Sequence, residues 1–325
     1  VLWASYFLAA LAVFLAWPAP IALSRARWPA RSPFTAMVLW QSIALAGGLS
    51  MIGAMLVWGL APLGDNLVTA SIGLWNVLME QKPAETLGII HVFALSAASL
   101  LGVHLVFTLM LTFIRIQRQR RRHRSMLRLL SSPVKDSPAT LVINHPTPVA
   151  YCLPGGARSV TVLSDGLLEM LSQEELNAVL THENAHLQQR HHLLLWAFAA
   201  WRSALPWLPT SQLAQVAVTE LIEMLADDQA LKHVDEGTLV RAIAIVAAGS
   251  PAVADTAPSA ETRLELPAPD RGTMAEDWST SVQRLRRLLT PLRPLTALQR
   301  AVALGSAGLL LVFPPLLLIA PALPG

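Results

Sequence analysis

Four long apolar runs punctuate the chain: Leu2 to Leu23, Met37 to Leu60, Leu87 to Ile114 and Ala301 to Leu323. At about 1.5 Å per helical residue each can cross a hydrocarbon core of about 30 Å, so each predicts a transmembrane helix. Between the third and fourth runs the pattern changes. The short β-like runs Leu141-Val142-Ile143 and Val160-Thr161-Val162-Leu163, separated by Pro and Gly-Gly, predict a small sheet. From Ser172 onward the period is helical: Ser172 with Glu175 three residues later is a capping-box signature, and Leu176, Val179 and Leu180 follow at helical spacing. A second helix is predicted over Ser211 to Lys232, with Leu213, Val216, Leu221, Met224, Leu225 and Ala230 supplying its apolar surface. Ser250 to Asp277, dominated by Pro, Ala, Gly and acids, reads as a loop.

Composition agrees with a membrane protein. Hydrophobic residues make up 54% of the 325 positions and charged residues 14%, too apolar for an ordinary soluble globule. The first run lacks a basic segment before it and a small-x-small cleavage site after it, so a retained helix is expected rather than a signal peptide. The net charge of +3 is small, but the arginines are bunched beside apolar runs. Arg25, Arg27 and Arg31 lie between runs one and two, whereas the loop from Gly64 to Thr86 holds one Lys and three acids. Arg115, Arg118, Arg120, Arg121, Arg122 and Arg124 follow run three, and Arg284, Arg286, Arg287, Arg293 and Arg300 precede run four. Positive residues stay on the cytoplasmic side, which predicts external termini and a cytoplasmic segment between runs three and four. Topology accounts for these arginines without direct nucleic-acid binding. The expected organisation is residues 1–114 with transmembrane helices 1–3, a cytoplasmic domain over 115–300, and transmembrane helix 4 over 301–325. The expected fold class is a mainly α integral membrane protein of the cell membrane, multi-pass, with a cytoplasmic α+β domain between helices 3 and 4.

The one cysteine, Cys152, excludes an intrachain disulfide and a Cys-based zinc cage, so a metal would be held by His and carboxylate. Thr181-His182-Glu183-Asn184-Ala185-His186 contains His-Glu-x-x-His on the predicted helix. Residues four apart share a helix face, so His182 and His186 can reach one Zn2+ per chain, with Glu183 beside the ion. There Glu183 would take a proton from metal-bound water and deliver it to the leaving amine, which is peptide hydrolysis. A catalytic zinc takes a third protein ligand. The second helix offers Glu223, with Asp227 at i+4 on the same face to accept the N–H of a liganding histidine; Glu220, one turn earlier, competes for the ligand role. His191, His192 and His233 flank these helices as candidates to stabilise an oxyanion, and spacing does not choose among them. His91 and His104 sit well apart within run three and suit interhelical hydrogen bonds rather than one ion. Cys152 has no adjacent base and reads as a small apolar residue.

Several stretches resemble a known group. Ala150-Tyr151-Cys152-Leu153-Pro154-Gly155-Gly156, then Val160 to Leu168 with Ser164-Asp165-Gly166, then Glu174-Glu175-Leu176 and His182-Glu183-x-x-His186 resemble the gluzincin-type membrane peptidases. The likeness is to the BlaR/MecR-type antirepressor proteases of peptidase family M56 and their relatives, the HtpX and CAAX-prenyl proteases. Glu223 to Leu231 looks like the Glu-x-x-x-Asp ligand helix of that group, with Ala226 where a Cys is common, which favours Glu223 over Glu220. The BlaR-type proteins also place the zinc domain between helices three and four. The resemblance implies a membrane zinc metalloendopeptidase acting on a cytoplasmic protein, with a BlaI-like winged-helix repressor as the expected partner and substrate. It also implies that Val149, Ala150, Tyr151 and Cys152 form an edge strand that pairs with extended substrate. An HtpX-like quality-control protease is the alternative, and a non-catalytic transmembrane signalling scaffold is another, against which the intact Glu183 counts. Departures are Asn184 inside the motif, His191 where an Asp often follows, and no Ser-x-x-Lys β-lactam-binding domain after the fourth run.

Overall fold

The computed structural model describes residues 2–79, 87–134, 137–153, 159–249, 281–290 and 292–319. The loop expected over Ser250 to Asp277, the Gly155-Gly156 pair and the last residues of the fourth apolar run lie outside the described residues. The chain divides into two compact units, residues 1–114 with 195–219 and 294–325, and residues 115–194 with 220–293.

The first unit holds helices α1 (Leu2–Ala16), α2 (Pro18–Arg25), α3 (Pro33–Leu60), α4 (Leu67–Met79) and α12 (Ala297–Ile319). It also holds most of the apolar part of α5 (Ile89–Leu130), most of α8 (His191–Ala204) and the start of α9 (Pro209–Ala230). Among the described residues, four segments are long and apolar enough to cross a membrane: Leu2–Arg25, Pro33–Leu60, Ile89–Leu127 and Ala297–Ile319. This is a multi-pass membrane protein. Pro18 and Pro33 each stand at the start of a helix, where the missing N–H costs nothing. Helix α3 is the hub, packed against both α1 and α12. Small residues allow that approach: a Cβ added at Gly53 would lie 3.1 Å from Leu318 of α12 and 3.5 Å from Leu8 of α1. Ser5 donates to the carbonyl of Ala54 on α3 at 2.8 Å.

Two short apolar helices contribute to this unit, and their place in it was not foreseen. The expected loop from Gly64 to Thr86 contains α4, whose 13 residues are too few to span a bilayer. The stretch 195–219, expected within the 115–300 domain, groups with the membrane helices. Ala204, Leu205 and Leu208, around the α8–α9 turn, pack against Ala16, Met51, Leu101 and Leu105. Thr210 donates to the carbonyls of Leu15 and Ala16 at the end of α1, and Pro20 has no N–H to offer the second of them. His104 lies 3.0 Å from the carbonyl of Ala204, an interhelical contact of the kind expected for it.

The second unit is α+β. Its strands are β1 (Ser131–Val134), β2 (Ser137–Ile143), β3 (Ala150–Leu153) and β4 (Val160–Ser164), in spatial order β1-β2-β4-β3. Strands β2 and β4 are parallel and the other pairs antiparallel, so β3 stands at an edge. The helices are α6 (Asp165–Met170), α7 (Gln173–Gln188), the C-terminal part of α9, α10 (Glu236–Gly249) and α11 (281–289). Beyond the apolar run α5 continues through the arginines to Leu130, because Arg and Gln are good helix formers and no Gly or Pro interrupts them. Ser172 caps α7 as its sequence predicts: its hydroxyl accepts from the Glu175 N–H at 3.3 Å and its own N–H donates to the Glu175 carboxylate at 2.9 Å. Ala178, His182 and Ala185 form the buried face of α7, and Ala178 packs with Ala230, Leu239, Ala242 and Leu288. A histidine on the apolar stripe of α7 is thereby carried into the interior.

Candidate active site

The buried Ser164 hydroxyl fastens the start of β3. It donates to the Thr147 carbonyl at 2.8 Å and accepts from the Val149 N–H at 2.9 Å and the Leu167 N–H at 3.2 Å. Two residues on, only glycine fits, because a Cβ at Gly166 would run into the Pro146 carbonyl. The Ser164 N–H donates to the Val149 carbonyl, so by antiparallel alternation Val149 and Tyr151 face β4, while Ala150 and Cys152 turn their backbone groups to the open edge. The Cys152 backbone hydrogen-bonds the Glu183 carboxylate, which brings the base of the motif against that edge. His123 of α5 steadies the strand through the Tyr151 hydroxyl, 2.6 Å away.

His182 and His186, one helical turn apart on α7, converge with Glu223 of α9. Nε2 of His182 lies 3.2 Å from Nε2 of His186, and the Glu223 oxygens lie 3.4 Å and 3.5 Å from the two rings. Three donors around a tetrahedral zinc at its usual bond lengths are about 3.3 Å apart. The three residues therefore fit a zinc ion, and they are a candidate metal-binding cluster consistent with one. Asp227 is buried, with Oδ1 2.9 Å from Nδ1 of His182, so this ring donates from Nδ1 and keeps Nε2 for the metal side.

Sequence reasoning missed Arg284. It had counted this residue among the arginines of topology, yet the guanidinium is mostly buried and donates to both Asp227 oxygens, at 2.8 Å and 2.6 Å, and to Glu223 at 3.0 Å. Arg287, one turn on, reaches Asp228 at 2.7 Å. The acids of α9 thus face arginines of α11. The spacing of Arg284 and Arg287 on one face was visible in the sequence; the pairing of the two helices was not.

Electrostatics follow from this packing. Burial would raise the Glu223 carboxyl, but the His182 hydrogen bond and the Arg284 charge hold it at about 2. Asp227 is likewise lowered, burial being outweighed by Arg284 and His182. His182 is raised despite burial because two carboxylates hydrogen-bond it, whereas burial lowers His186 to about 4. Burial, with the Glu223 charge adding to it, raises Glu183 to about 7, in the range suited to proton transfer. Burial also raises the Cys152 thiol, which rests 3.3 Å from the Thr161 hydroxyl, away from nucleophilic duty.

The remaining candidates are placed otherwise than expected. His191 is 2% exposed and both ring nitrogens are engaged, Nδ1 with Nδ1 of His186 at 3.0 Å and Nε2 with Gln189 at 3.0 Å. It has no N–H left for a substrate oxyanion. His192 is half-buried near Arg120 and Arg190, and His233 is exposed in the turn after α9. Glu220 is only partly buried and lies outside the cluster that Glu223 completes.

Residues 116–220 match Peptidase family M48. The chain carries a domain of that family. The matched stretch runs from the polar half of α5 to the middle of α9, and so contains His182, Glu183 and His186, with Glu223 three residues past its end. It falls on the HtpX side of the resemblance, and nothing in it singles out the BlaR/MecR-type group. No solved structure matches the chain. An M48 domain with a His-His-Glu cluster makes this chain a zinc-dependent protease.

Proposed function

We propose that this chain is an HtpX-like membrane metalloendopeptidase that cleaves polypeptides presented as extended strands, with Glu183 as the proton-transfer group. The observation that carries the reading is the His182-His186-Glu223 cluster inside and just beyond the M48 match, with Glu183 against the open edge of β3. His182, His186 and Glu223 would hold a zinc ion, which supplies Lewis-acid polarisation and lowers the pKa of water. Asp227 orients His182, and Arg284 keeps Asp227 and Glu223 ionised. A substrate strand would pair with the outward backbone groups of Ala150, leaving its scissile carbonyl beside Glu183. Glu183 then takes the proton of the attacking water and passes it to the leaving nitrogen. A protein substrate of the quality-control kind, unfolded or damaged membrane protein, suits a strand-recognising site because backbone pairing is tolerant of sequence. The catalytic unit, residues 115–194 with 220–293, faces the cytoplasm in this reading, since arginines follow the third apolar run and precede the fourth.

The test uses detergent-purified full-length chain and denatured casein. Parent protein should bind about one zinc per chain and cleave. Glu183→Ala should keep the metal and lose cleavage, and Glu223→Ala should lose the metal. Zinc binding with cleavage unaffected by Glu183→Ala would overturn the reading.

A further inference from the structure

A histidine that ligates through Nε2 must carry its proton on Nδ1. For His186 that nitrogen lies 3.0 Å from Nδ1 of His191, and a hydrogen bond between two imidazole nitrogens needs one donor and one acceptor. His191 must then be bare at Nδ1 and, as a neutral ring, protonated at Nε2. Its Nε2 lies 3.0 Å from Oε1 of Gln189, an oxygen that accepts and never donates. The proton order is thus set along a line from the Gln189 carbonyl, through His191, to His186, whose Nε2 lone pair faces the site. Burial of His191 keeps water from supplying another partner. The backbone provides the geometry: Arg190 takes a left-handed conformation with φ 52°, which folds the first residue of α8 back over the end of α7.

We propose that Gln189 and His191 are positioning residues that select the metal-binding tautomer of His186, with the side-chain amide of Gln189 as the selecting group. This rests on the metal-site reading above. A donor in place of the Gln189 oxygen would reverse every proton in the line, put hydrogen on Nε2 of His186 and close it to a metal. Gln189 itself is exposed, so its side chain can be exchanged without disturbing the core.

Full-length protein in detergent should be titrated with Co2+, alongside 15N NMR of histidine-labelled, metal-free protein to read which ring nitrogen of His186 is protonated. Gln189→Glu keeps an acceptor, so binding should stay at least as tight as in the parent and His186 should stay protonated at Nδ1. Gln189→Lys offers only donors; it should weaken binding about 10–100-fold, the range for loss of a ligand-orienting partner, and move the proton to Nε2. Gln188→Lys places the same charge on the neighbouring exposed position and should leave both readouts near the parent. Equal weakening by the two lysines with no change of tautomer would reduce the effect to charge and overturn the proposal, as would unchanged binding in Gln189→Lys. A parent chain that binds no metal would instead sink the metal-site reading, and the ring-nitrogen signals would still decide the tautomer relay.

Discussion

His182 and His186 stand one helical turn apart and turn Nε2 toward the same point, yet the surroundings that fix them share no chemistry. On the α9 side, His182 is held by the buried carboxylate Asp227, which Arg284 balances. On the α8 side, His186 meets a second imidazole and, through it, a neutral amide. Both neighbourhoods present an acceptor to Nδ1. The first obtains it from a buried charge and must then hold a counter-charge close; the second obtains it from proton order alone and needs only exclusion of water. The comparison teaches that one requirement, a fixed tautomer, can be met ionically or neutrally within the same site, with different liabilities under mutation.

The widest separation should come from Arg284→Met. It strands the buried carboxylate of Asp227 and removes the charge partner of the partly buried Glu223, and the loss of one partner of a buried pair costs about 3–5 kcal/mol. Denaturant melts of the metal-free protein should show it, and added zinc should restore part because a cation returns to the same carboxylates. If the melt does not move, the α9 side is not held ionically. Next comes Glu183→Gln, which touches neither side: turnover should fall about 10²–10⁴-fold with metal stoichiometry unchanged, separating the reacting proton from the orienting ones. Asp227→Asn should weaken zinc about 10–100-fold in a competition titration, and His191→Leu should fall near the low end of the same range, since no charge is lost with it. The reverse ranking would break the distinction drawn between the two sides. The smallest effect is expected of Glu220→Gln, whose zinc affinity should match the parent within error; a real loss there would reopen the choice of third ligand.

Much of this site was readable in advance because it rests on helical periodicity. The i, i+4 spacing of His182 with His186 and of Glu223 with Asp227 survives folding unchanged, as does the cap at Ser172, since these are properties of one helix at a time. What depends on which helices meet was not readable. Arg284 looked like its neighbours Arg286 and Arg287 until α11 was found against α9. His191 stood with His192 and His233 as one of three candidates to stabilise an oxyanion, because the left-handed turn at Arg190, an unusual conformation for arginine, leaves no mark in the sequence. The apolar helix α4 was read as loop because its 13 residues fall short of a span, and α8, in a stretch expected to be helical, carries no sign in its sequence of which unit it joins.

The ionic clamp on His182 closes over a long stretch of chain. Arg284 lies 57 residues beyond Asp227 and 102 beyond His182. During synthesis α9, which carries Asp227 and Glu223, leaves the ribosome before the arginine that balances its acids, at about 5–20 residues per second. For those seconds Asp227 and Glu223 have no Arg284 to pair with, so the cluster gains its full set of charges only after α11 has emerged. A site whose last charge partner arrives so late is thereby completed only after the helices that line it have been made.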